Sequence, residues 1–192
     1  MISAVAISAV VLQMMVAKTF GPENFSKLDP LTVSLPHPDA LTSLLSGKTE
    51  ITAHLTSPPF SYVEVQDPKI HKVVNSGDLL GNFTLDVVYA PKKFVNANPK
   101  LIDAFLAAQE EANALIASNP KEAAHIYIRS SKMKVSEDEV LKILADPDTR
   151  YSTTPTNVMN FAEFLSLSGT IKKKPADWKE LFIPQLHAKP GS

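Results

Sequence analysis

The chain has 192 residues, of which 44% are hydrophobic and 20% charged, enough apolar side chain for a packed core and too much for a disordered segment. A net charge of −1 excludes bulk attraction to nucleic acid or to an anionic membrane. Cysteine is absent, so disulfides, thiolate zinc sites and a cysteine nucleophile are excluded as well.

The opening "MISAVAISAVVLQMMVAK" carries no basic residue before Lys18, whereas a secretory signal begins with one. Its apolar run is broken by Ser3, Ser8 and Gln13 and is short for a bilayer span, which needs about 20 residues. It divides into a β-branched strand, "ISAVAI", and a helix, "AVVLQMMVAKTF", capped by Ser8 and stopped at Gly21-Pro22. A strand at residue 2 is a poor place for a domain to begin, so the chain is expected to enter its fold partway through.

Strand and helix then alternate. Residues 31–36 read as a strand, 38–47 as a helix ending in Gly47, 50–55 as a strand and 59–66 as a short helix after a double proline. Two further strands are expected at 71–76 and 82–90. Connections this short imply an α/β lobe with a mainly parallel sheet.

From residue 98 the pattern is helical. A long helix over 98–120 has Leu101, Phe105, Ala108, Ala112 and Leu115 on one face. Helices follow at 121–131, at 137–146 behind a Ser136/Glu139 capping box, and at 154–169 with Val158, Phe161, Ala162 and Leu165 inward. Lys172-Lys173-Lys174 reads as a solvated turn. These helices have no remaining strands to cover. They form a bundle, or they belong to a sheet whose strands lie upstream of Met1.

The best site candidate is "HLTSPPFSY" (54–62), at the carboxyl end of a predicted strand, where open parallel sheets place ligands. Thr56 and Ser57 offer hydroxyls, Pro58-Pro59 stiffens the backbone, and Phe60 and Tyr62 supply ring surface for a small solute. The same residues would serve a stiff, capped turn. Ser8 at a helix start would seat an anion, or simply cap the helix. The histidines at 37, 54, 71, 125 and 187 show no metal-ligand spacing; His54 leads into the loop, and the others read as surface or structural. No phosphate loop, nucleophile elbow or paired catalytic carboxylates are found, and Glu110 and Glu111 face solvent in mid-helix. Catalytic residues, metal and cofactor are therefore expected to be none.

Taken in order, four stretches resemble the substrate-binding proteins of ABC importers, in the nitrate/sulfonate/taurine-type branch related to thiamine-pyrimidine proteins. They are "SAVAISAVVLQMMVAKTFG", "LPHPDALTSLLSGKTEITAHLTSPPF", "NFTLDVVYAPKKFVNANP" and "DPDTRYSTTPTNVMNFAEFLSLSGTIKKKPADWKELFIP", the last being the most specific. The resemblance covers nearly the whole chain but only the later part of a family member. It implies a truncated type II periplasmic-binding-protein fold, with a second α/β lobe over 1–81, a returning hinge segment over 82–97, and 98–192 packing on an absent first lobe.

It further implies a non-enzymatic, periplasmic protein that binds a small organic solute of sulfonate, taurine, nitrate or pyrimidine type and delivers it to a membrane permease, with no nucleic-acid partner. Ser8, Thr56, Ser57 and Phe60 are the implied ligand contacts, with His54 a weaker addition. Helix faces lacking their sheet imply self-association. Two other readings share the fold: an enzyme of thiamine-pyrimidine synthesis, and the effector-sensing domain of a LysR-type regulator.

Overall fold

The computed structural model describes residues 1–3, 6–131 and 135–192; for Ile2, Ser3 and Ala6 the backbone alone enters the description. Contacts divide the chain into two units, Met1–Gly81 with Glu163–Lys172, and Asn82–Ala162 with Lys173–Ser192.

The first unit contains β1 (Ile2–Ser3), α1 (Ala6–Phe20), β2 (Thr32–Val33), α2 (His37–Ser46), β3 (Ala53–His54), α3 (Phe60–Glu64) and α4 (Ser76–Leu80). The strands lie in the order β2-β1-β3, and both pairings are parallel. Ile2 is in register with Thr32 and Ala53, and Ser3 with Val33 and His54. Each strand is followed by a helix, so the helix starts gather at the carboxyl edge of the sheet.

Val11, Met14, Met15 and Val16 of α1 are buried with Ala40 and Ile51. Their spacing covers much of the helix circumference, as expected of a helix inside a core. Each large apolar side chain so buried contributes about 1.5–3 kcal/mol. Phe25 meets Phe164 edge-on, with ring centroids 5.7 Å apart. The helix ends where Gly21 takes φ 98, and α2 ends where Gly47 takes φ 60, a left-handed conformation that a side chain opposes.

The sheet is much smaller than expected, since each strand has two residues and helix dominates the described residues. Neither 71–76 nor 82–90 is a strand, and Ser76 instead begins α4 behind an Asn75 cap, whose side chain accepts from the N–H of Gly77. Val73 is 83% exposed and Tyr89 90%. Strand preference expresses fit to a packed pleated surface, and these side chains have no such surface to join. Of the expected strand "ISAVAI", Ala4 and Val5 lie outside the described residues, while Ala6 and Ile7 are already helical.

The second unit is built from α5 (Lys92–Ala97), α6 (Pro99–Ser118), α7 (Pro120–Ser130) and α8 (Glu137–Ala145), together with the first residues of α9 (Val158–Leu167). Pro99 and Pro120 each occupy a first helical position, where the missing N–H costs nothing. The capping box at α8 is complete: Ser136 accepts from the N–H of Glu139, whose carboxylate accepts from the N–H of Ser136.

Ala124, Val140, Ile143, Val158, Ala162, Trp178 and Leu186 are buried. Of the inward face expected for α6, Leu115 alone is half-buried. Leu101 and Phe105 are 55% and 45% exposed and Ala108 and Ala112 are exposed, while Ile102, Leu106, Leu115 and Ile116 are half-buried. Two apolar stripes run along this helix, and its neighbour α7 covers only part of its circumference. Among the described residues, no helix is long and apolar enough to cross a membrane.

Candidate functional site

The site is made by three consecutive features of the first unit. β2 runs through Pro36 into α2, whose first residue is His37. His54 closes β3, and the following loop carries Thr56, Ser57 and a cis Pro58-Pro59 peptide before α3 starts at Phe60. Phe60 and Glu64 are four residues apart on α3 and therefore share a face.

That face meets the two histidines. The Phe60 ring lies against His37, with centroids 5.3 Å apart and planes inclined by 30°. Glu64 Oε1 lies 2.5 Å from His54 Nδ1, and His54 Nε2 lies 2.8 Å from His37 Nδ1. The side chains of His54 and Glu64 are 0% and 6% exposed, whereas His37 is half-buried. A carboxylate, two imidazoles and an aromatic lid thus run in line from the interior outward.

The hydrogen bonds fix the protons. Facing the carboxylate, His54 Nδ1 carries its hydrogen and donates. In the neutral pair, His54 Nε2 accepts from the Nδ1–H of His37, which leaves His37 Nε2 with a bare lone pair. Burial first, and the neighbouring His54 second, hold His37 below the ordinary imidazole range of 6.5, against the opposing pull of Glu64.

Thr56 Oγ1 makes only long contacts, 3.4 Å to His37 Nδ1 and 3.5 Å to the Ser57 carbonyl, so its hydroxyl retains capacity for another partner. That carbonyl also accepts from the N–H of Ser61 at 3.3 Å. Among the described residues, no hydroxyl is held by an imidazole at the distance of about 2.6–3.2 Å that activates a nucleophile. Nor do three His, Asp or Glu side chains converge there on a point that would hold a metal ion.

The side chains of His54, Phe60 and Thr56 therefore meet around His37, with the Ser57 carbonyl 3.5 Å from the Thr56 hydroxyl. Ser8 stands on α1, which follows β1, the strand paired with both β2 and β3. It is the third residue of α1, half-buried in the first turn, rather than the cap before it; Ala6 and Ile7 extend the helix backward, and the position before Ala6 lies outside the described residues. Sequence reasoning missed His37 and Glu64. The signal for His37 was its place just after a parallel strand, the same one that singled out His54. For Glu64 it was the spacing of four from Phe60.

His71 is exposed; His125 lies 3.1 Å from Glu137 on the surface; His187 Nε2 lies 3.0 Å from the carbonyls of Lys179 and Phe182, with its ring against Trp178. In the second unit, an open groove of about 450 Å³ is lined by residues such as Ile116, Leu141, Leu144 and Tyr151. Burial, and secondarily Tyr127, raise the Tyr151 phenol above its usual range, and among the described residues no other titratable group lines the groove.

A scan of protein-family models, a search of curated proteins and a search of solved structures each found no match to this chain.

Proposed function

We propose that this chain is the solute-binding component of an ABC importer, with the architecture of a type II periplasmic-binding protein, working in the periplasm. It captures a small organic solute at the carboxyl edge of the parallel strands and hands it to a membrane permease. The observation that carries the reading is the meeting of Thr56, Phe60 and His54 with His37, where the segments leaving β3 and β2, the two strands that flank β1, come together. Hydroxyls, an aromatic surface and the end of a parallel strand are the ingredients of a small-solute site.

The experiment is calorimetric titration of the full chain with taurine, methanesulfonate, nitrate and a hydroxymethylpyrimidine. Saturable binding of one of them, weakened by T56V and by F60A and with the solute recovered unchanged, supports the reading. Absence of binding across the panel contradicts it.

The His37–His54–Glu64 chain favours a second reading, a pyrimidine-forming enzyme, because acid–base work uses such assemblies. Chemical conversion of a bound solute, abolished by H54A, would establish that reading instead.

A further inference from the structure

The nitrogen-to-nitrogen contact between His37 and His54 accommodates a single hydrogen at the junction. The pair therefore carries at most one positive charge without breaking that bond. Without an added proton, the arrangement is Glu64 carboxylate, His54 with hydrogen on Nδ1, and His37 with hydrogen on Nδ1, for a total charge of −1. Its outward atom, His37 Nε2, is then an acceptor.

An added proton enters at the outer end. The lone pair of His37 Nε2 takes it, the Nδ1–H bond of His37 breaks, and that hydrogen forms a new bond to His54 Nε2. The product is a His54 imidazolium against the Glu64 carboxylate, beside a neutral His37 that now presents an Nε2–H. Total charge becomes zero, and the outward atom becomes a donor.

We propose that His37 is a solute-binding residue of this site, and that an oxyanion-bearing solute is captured together with one proton passed along His37, His54 and Glu64. The inference rests on the solute-binding reading above and adds the solute's chemistry and the proton. An oxyanion brought beside an unprotonated chain would meet a lone pair and, behind it, a buried carboxylate. Proton uptake removes both obstacles at once, and Thr56 Oγ1 supplies a second donor nearby.

Among the described residues of the adjoining elements, the other groups that could disturb the balance are few. On α2 the next ionisable residue, Asp39, is exposed; β3 offers only His54; α3 offers Glu64 and Tyr62; and the loop between β3 and α3 has no ionisable side chain. The depression of His37 by burial and by His54 agrees with a pair that resists a second proton.

Two measurements on the full chain test this. In histidine-selective 15N spectra without solute, lowering pH from about 8 to about 5 is expected to convert His37 Nε2 from bare to protonated while His54 becomes doubly protonated. E64Q, checked for native fold by circular dichroism, is expected to suppress the change at His54. A His54 that stays singly protonated throughout overturns the proton chain and leaves the solute-binding reading standing.

Titration with methanesulfonate in buffers of different ionisation enthalpy is expected to show uptake of close to one proton near pH 7.5, with affinity reduced roughly tenfold in H37A. Binding without proton uptake overturns this inference alone. Failure of methanesulfonate, taurine and nitrate to bind overturns the oxyanion assignment, and if the pyrimidine also fails, the solute-binding reading falls with it.

Discussion

Glu64 and His54 form a buried pair, with Oε1 of the carboxylate 2.5 Å from Nδ1 of the ring and neither side chain more than 6% exposed. The pair joins α3 to β3 at the start of the candidate site.

Removing one member of such a pair leaves the other desolvated without a partner. E64A is expected to destabilise the chain by about 3 kcal/mol. Urea denaturation checks this, and E64Q, which retains an acceptor for the Nδ1–H, is expected to lose distinctly less.

The depressed His37 makes a signed prediction about pH. A group that binds its proton less readily when folded contributes stability that is full above its ordinary value of 6.5 and is lost as pH falls through the lower folded value. The stability difference between the native chain and H37A is therefore expected to be larger at pH 7.5 than at pH 5. Parallel denaturation series at several pH values measure it.

Leu101 and Phe105 stand largely in solvent on α6, along with the small Ala108 and Ala112. An apolar stripe of this kind favours association. The chain is expected to sediment with a concentration-dependent mass, and L101K with F105K is expected to shift it toward monomer. Both substitutions lie on the exposed stripe, so the melting temperature should change little.

The Ser136/Glu139 capping box sets the start of α8. S136A removes the acceptor for the Glu139 N–H and is expected to cost about 1 kcal/mol, read from the denaturation midpoint.

What could be read from sequence followed the range of the interactions. The capping box and the stops at Gly21 and Gly47 depend on a few adjacent residues, and the structure shows positive φ at both glycines. The parallel order of the strands was less accessible, yet the short β–α connections implied it. Expectations failed where a distant partner decides the outcome. Val73, Val87, Val88 and Tyr89 have the composition of strands without a ladder, and α6 has two apolar stripes with nothing local to choose between them.

At the site, the loop from His54 to Phe60 was legible from hydroxyls, prolines and a ring in a row. His37 lies 17 residues before His54, and Glu64 lies 10 after it. Only folding brings the three into line, so neither partner was visible as a motif.

The most direct test of the site is a histidine-selective 15N spectrum of the full chain recorded with and without methanesulfonate at constant pH. The signals of His37 and His54 are expected to move together while those of His71, His125 and His187 stay in place. Movement confined to the latter three, or no movement at saturating solute, would contradict this.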